Sequence, residues 1–262
     1  MYKSVYALLA IGLLTACSST KNTGTATNGS TTQTTGGTMQ TAAGGSTSTN
    51  QPNAGWVALF DGKTLAGWHS YGKTTPGSAW KVDDGAIHLD ASSKQSYQTN
   101  GGGDLVTDAE YENYHLKLEW KISPNGNSGI IINTKEDTSK YRESWYTGME
   151  MQVLDNNGHS DGKIPKHRAG NLYDLIAVSK ETVKPVGEWN LAEVVNNRGK
   201  LDLYLNGEHV VDTRMDDDAW RNLIAGSKFK DMPDFAKFSR GRIGLQDHGN
   251  DVWFRNIQIK QL

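Results

Sequence analysis

His115-Leu116-Lys117-Leu118-Glu119-Trp120-Lys121-Ile122 alternates polar or charged with apolar side chains along its whole length. A period of two puts Leu116, Leu118, Trp120 and Ile122 on one face of an extended chain and the charges on the other, so the stretch reads as a strand with one face on a core. Leu201-Asp202-Leu203-Tyr204-Leu205 and His209-Val210-Val211 repeat the pattern on either side of Asn206-Gly207, a dipeptide suited to a type I′ hairpin turn. Asp83-Asp84-Gly85 joins residues 79–82 to 86–89 in the same way. Further strands are expected over 128–133, 148–154, 188–196, 241–246 and 252–260. About a dozen short strands with closely spaced turns predict an all-β domain, a two-sheet sandwich or jelly roll. One short helix is expected after Asp216, with Asp217 and Asp218 at its positive end, Trp220, Leu223 and Ile224 on one face, and Gly226 ending it.

The composition divides the 262 residues into three parts. All 29 acidic side chains and all eight tryptophans lie at or after Trp56, where acidic residues outnumber basic ones. That balance argues against nucleic acid as a partner, since phosphate contacts need a basic excess. Residues 1–17 pair Lys3 with an apolar run over 5–14 and end in Leu14-Thr15-Ala16-Cys17. The pattern is a secretory signal, too short for a span of about 20 residues. The only cysteine falls at the cut site, as in the bacterial lipoprotein box, so Cys17 is the expected lipidation site. The mature chain is then held to the membrane by its lipid anchor alone, with the periplasmic face of the outer membrane as the expected location. Residues 18–54 hold no aromatic residue and no Val, Ile or Leu, and read as a disordered linker. The folded domain is expected over 55–262.

Candidate chemistry lies where polar residues share a strand face. In Met149-Glu150-Met151-Gln152-Val153-Leu154-Asp155, Glu150 and Gln152 oppose Met149, Met151 and Val153; Asp155 joins them if the strand bulges near Leu154. The spacing Glu-x-Gln-x-x-Asp is similar to the acid motif of laminarinase-like glycoside hydrolases, with Gln and Asp as departures. Gln246 and His248 form a second stripe, and imidazole suits proton transfer near neutrality. Asn127 and Gly129 open a strand where an amide can pair with sugar hydroxyls and a glycine permits close approach. Trp145 is a candidate for stacking on a pyranose ring. Asp155, His159, Asp161 and His167 carry metal-ligating atoms without a tight ligand spacing, so a hydrated loop is the expectation there.

The ordered set of motifs resembles the bacterial 3-keto-disaccharide hydrolase or 3-keto-glucoside-1,2-lyase family. It is carried by Trp56-Val57-Ala58-Leu59-Phe60-Asp61-Gly62-Lys63-Thr64-Leu65-Ala66-Gly67-Trp68, Trp80-Lys81-Val82-Asp83-Asp84-Gly85, Gly126-Asn127-Ser128-Gly129-Ile130 and Glu150–Asp155. Lys184-Pro185-Val186-Gly187-Glu188-Trp189-Asn190, Leu205-Asn206-Gly207, Gly244-Leu245-Gln246-Asp247-His248-Gly249 and Phe254-Arg255-Asn256-Ile257 complete it. The resemblance implies a concanavalin-like jelly roll acting on a glycoside that a partner 3-oxidoreductase has oxidised at C3. The ketone acidifies the C2 hydrogen, the C1 substituent leaves by elimination, and hydration completes a net hydrolysis. His248 or Glu150 would be the base and Asp155 an acid or orienting group, with Asn127, Gln152 and Gln246 on sugar hydroxyls. Tyr173 would neighbour the site. A lysine of the 228–237 segment such as Lys237, Arg168 or a divalent metal would stabilise the enolate oxygen. Two other readings stay open: a non-catalytic carbohydrate-binding module, and a conventional laminarinase-like hydrolase.

Overall fold

A computed structural model describes residues 55–262; the expected signal segment with Cys17 and the linker lie outside the described residues. The strands are β1 (Trp56–Ala58), β2 (Trp68–Ser70), β3 (Trp80–Asp83), β4 (Ala86–Leu89), β5 (Lys94–Gln95), β6 (Gln98–Thr99), β7 (Leu105–Thr107) and β8 (Tyr114–Ile122). They continue as β9 (Asn127–Thr134), β10 (Met149–Leu154), β11 (Asn190–Asn197), β12 (Lys200–Leu205), β13 (Glu208–Arg214), β14 (Arg242–Leu245) and β15 (Val252–Gln261). Among the described residues α1 (Asp218–Ala225) is the one α-helix, capped as expected by Asp217, whose side chain accepts from Trp220 N–H, and by Gly226.

Two antiparallel sheets face each other. The larger has the order β13-β12-β11-β8-β15-β4-β3, with β1 also on β15; the smaller is β10-β9-β14-β7-β2. The alternation in β8 is realised: Tyr114, Leu116, Leu118, Trp120 and Ile122 are all buried, while the residues between them are only partly so. The β12–β13 turn has both central residues at positive φ (Asn206 54°, Gly207 84°), as a type I′ turn demands. Facing side chains such as Trp120, Phe254, Ile130 and Met151 make the shared core. The result is the expected all-β jelly-roll sandwich. Among the described residues no helix is long and apolar enough to cross a membrane.

One polar knot crosses the core. Asn133 on β9 accepts at Oδ1 from Tyr114 OH of β8 (3.1 Å) and from Asn196 Nδ2 of β11 (3.3 Å), which ties the two sheets together. Its own Nδ2 donates to the Phe238 and Ser239 carbonyls. Asn133→Ala leaves a buried phenol, an amide and two carbonyls short of partners, at ~1–3 kcal/mol for each group left unsatisfied. Denaturant unfolding of Asn133→Ala should therefore show a loss of at least ~2 kcal/mol, whereas a loss under ~0.5 kcal/mol would mean that water replaces the knot.

Candidate active site

Strand β10 is buried on both faces. Met149, Met151 and Val153 enter the core, whereas Glu150 and Gln152 lie beneath a cavity of about 160 Å³. Asn127, Gln152, Gln246, Tyr173, Trp145, Glu150 and His248 all line it, together with Tyr97, Gln98, Asp104, Lys228, Phe229 and Asp247. The volume is below the ~300–1,000 Å³ of drug-sized pockets and suits a single ring.

The position of Glu150 depends on Gly129. In the β9–β10 ladder Gly129 pairs with Gln152, and a Cβ there would lie 2.3 Å from Glu150 Oε1. A bare backbone is what lets the carboxyl lie flat on the sheet. Two amides then hold it: Gln246 Nε2 donates to Oε2 at 3.3 Å, and the Gln152 amide nitrogen faces Oε1 at 2.7 Å and the Ser128 carbonyl at 3.1 Å. Glu150 is only 8% exposed. Burial pushes its pKa up to about 8; the Lys228 ammonium and the Gln246 amide pull it down, and Asp104 and Asp161 push it further up.

His248 titrates in the opposite direction. Burial lowers its pKa, and repulsion from His159 and Lys94 adds to the effect. Its ring stands 6.3 Å from that of His159 and 6.4 Å from that of Tyr97. Lys228 places its ammonium 4.0 Å above the Tyr173 ring, while Asp174 Oδ2 accepts from the Lys228 backbone N–H at 2.7 Å. The Tyr173 hydroxyl donates to Asp161 Oδ2 at 3.2 Å, and burial followed by the charges of Glu150 and Asp161 raises its pKa strongly.

Three expected site residues lie elsewhere. No bulge forms near Leu154: the β9–β10 register is regular, and Asp155 N donates to the Gly126 carbonyl at 3.0 Å. The Asp155 carboxylate instead accepts from the backbone N–H groups of Asn125, Asn157 and Gly158, which makes it a turn anchor. Arg168 is engaged by Glu181 and the Gly162 carbonyl. Lys237 is exposed and borders a different hollow, with Glu112 and Arg198. Of the 228–237 lysines it is Lys228 that lines the cavity. His167 lies between Asp161 and Asp174, and among the described residues no group of three or more His, Cys, Asp or Glu is placed to hold a metal ion.

Asp104 and Asp247 were not anticipated. Asp247 accepts from Thr99 N–H and hydroxyl, Gly103 N–H and Gly249 N–H, and so pins the Gly101–Gly103 turn. The available signal for Asp104 was an acid placed directly before the apolar pair Leu105-Val106, where a strand enters a core. Tyr97 sits at the tip of the β5–β6 hairpin, 41% exposed, with its hydroxyl on Glu143 Oε1 at 3.0 Å.

The family model for the 3-keto-alpha-glucoside-1,2-lyase-like domain matches residues 55–260. A 3-keto-disaccharide hydrolase of Bacteroides thetaiotaomicron is 34% identical, covering 97% of this chain and 96% of its own. Among solved structures, a putative glycosyl hydrolase from Parabacteroides distasonis ATCC 8503 superposes with a TM-score of 0.71 at 29% identity, over 80% of this chain and 94% of that one. A second protein of the same description and organism gives a TM-score of 0.59 at 26% identity, over 79% and 99% of the two chains. The ordered motifs, the fold and these matches agree: the chain belongs to the 3-keto-alpha-glucoside-1,2-lyase-like family.

Proposed function

We propose that this domain cleaves glycosides already oxidised at C3, by elimination followed by hydration. The observation that carries the reading is one small cavity in which burial pushes two titratable groups in opposite directions, Glu150 up and His248 down. Such a divergence assigns an acid and a base. His248, neutral at pH 7, takes the C2 proton, and the electron pair moves to the C3 oxygen as an enolate. Lys228, the one lysine or arginine among the described residues that line the cavity, stabilises that oxygen. The enolate collapses to a C1–C2 double bond, the C1–O bond breaks, and Glu150 gives its proton to the departing oxygen. In the hydration step water adds at C1, its proton returns to Glu150, and the proton on His248 goes to C2. The sum is hydrolysis, with both groups restored. Asn127, Gln152 and Gln246 hold hydroxyls, and Trp145 and Tyr97 flank the ring. A partner oxidoreductase supplies the ketone, and the lipid anchor at Cys17 keeps the domain at the periplasmic face of the outer membrane.

The laminarinase-like reading loses support from Gln152 and from the displacement of Asp155, since two free carboxyls at motif spacing are what that chemistry requires. A carbohydrate-binding module would have no use for an acid and a base in one pocket.

Matched native and 3-keto glucosides with a chromogenic aglycone separate these readings. The expected outcome is aglycone release from the keto substrate only, with exchange of the C2 hydrogen in D₂O. Release from the native glucoside alone would remove the elimination mechanism.

The pH dependence follows from the two assignments. Activity needs neutral His248 and protonated Glu150, so kcat/KM should fall on the acid side below the ordinary imidazole value and on the alkaline side through about 8. Glu150→Gln should lower kcat by ~10²–10⁴-fold and abolish the alkaline limb. Gly129→Ala should lower kcat at least tenfold with little change in binding of an unreactive sugar, because it displaces the acid and leaves the amides in place.

A further inference from the structure

Asp104 is a buried carboxyl that the steps above leave unused. It stands at the entry to β7, 3% exposed, in the wall of the cavity that holds Glu150. Each oxygen has one protein donor: Asp247 N–H on Oδ1 at 2.9 Å and the Ser144 hydroxyl on Oδ2. Its neighbour Asp247 is treated differently, with donors from Thr99, Gly103 and Gly249 gathered around it. The charges bearing on Asp104 are the negative ones of Asp247 and Glu143, and it bears in turn on Glu150.

A purely structural part would not need an acid here. Asparagine would accept from Asp247 N–H and meet the Ser144 hydroxyl without the desolvation cost of a buried carboxylate facing like charges. The ionisable group therefore calls for a role of its own.

We propose that Asp104 is a positioning residue for catalysis: its carboxylate, sealed in the cavity wall, holds Glu150 in the proton-donating form that the leaving oxygen needs. The proposal rests on the reading of Glu150 as the acid. The groups that face the pair are Asp247, Glu143 and Ser144 around Asp104, and Gln152, Gln246, Lys228, Asp161 and Tyr173 around Glu150. Burial, eased by the Ser144 and Asp247 hydrogen bonds and reinforced by the Asp247 and Glu143 charges, brings Asp104 up to about 7. A charge on Asp104 makes a second charge at Glu150 costlier. The two protons then leave in successive steps that belong to the pair.

The test is the pH profile of kcat/KM on a chromogenic 3-keto-glucoside, joined to an infrared carboxyl-stretch titration of the substrate-free protein. Both are run on the wild type, Glu150→Gln, Asp104→Asn and Ser144→Ala. Asp104→Asn should move the alkaline limb, and the Glu150 infrared titration, down by about one pH unit, the size expected for a like charge across a small buried cavity. Its kcat at pH 6, where Glu150 is protonated in either protein, should fall much less than its kcat at pH 8. Ser144→Ala removes a donor from Asp104, delays its ionisation, and should move the same limb in the same direction by less; it carries the test if Asp104→Asn does not fold. A limb that Glu150→Gln abolishes but that neither other variant moves would overturn the role of Asp104 alone. A limb that survives Glu150→Gln would overturn the assignment of Glu150 as well.

Discussion

The site rests on the flat passage of the Glu150 carboxyl across the bare backbone of Gly129. A side chain on β10 that points away from the core would ordinarily stand perpendicular to the sheet and reach solvent. Here the missing Cβ at Gly129 lets it fold down between Gln152 and Gln246, and that position supplies both its burial and its raised proton affinity. The amides suit a group that changes protonation state, because each has a donor end and an acceptor end. The cavity floor is thus made by neighbouring strands in strict register, and the acid inherits the rigidity of the β9–β10 ladder.

The walls come from loops that are fastened to that floor. Glu143, Ser144 and Trp145 follow one another in sequence and each serves the cavity: Glu143 accepts from the Tyr97 hydroxyl, Ser144 donates to Asp104, and Trp145 lines the opening. The turn itself is held to the end of β9, where the Thr134 hydroxyl donates to the Ser144 carbonyl at 2.6 Å. Asp247 does the same for the Gly101–Gly103 turn, from which Asp104 enters β7. The aromatic side chains and the acidic wall are therefore coupled through single hydrogen bonds, so a change at Ser144 or Asp247 reaches both.

The legible part of this molecule was the part that obeys a period. Alternation in β8, β10, β12 and β13 revealed two-sided strands, and the same alternation placed Glu150 with Gln152 and Gln246 near His248, because residues two apart share a face. Asp155 broke the rule: three residues from Gln152, it could join the stripe only through a bulge, and the regular register put its carboxylate among turn N–H groups instead. Lysines in the 228–237 segment could not be ranked, since a loop has no period to say which side chain turns inward. Asp104, Tyr97 and Phe229 come from three separate stretches that meet only in the folded chain. Asp104 in particular owes its character to the seal placed over it by Ser144 and Asp247, and nothing local in the sequence encodes a seal.

The sign of the charge that the cavity tolerates bears on which chemistry it favours. Conventional glycoside cleavage passes through an oxocarbenium-like state, positive at the sugar, and is served by a free carboxylate beside the ring. In this cavity the buried carboxyl of Glu150 is pushed toward its neutral form, and the oxygens of Asp104 and Asp247 are engaged by hydroxyl and N–H donors. The ammonium of Lys228 faces the same space. A neutral acid at Glu150, occupied carboxylate oxygens and a lysine stabilise negative charge on a substrate better than positive charge. An enolate at C3 is negative and an oxocarbenium is not, so the electrostatics of the pocket agree with the proposed substrate, a sugar that arrives already oxidised.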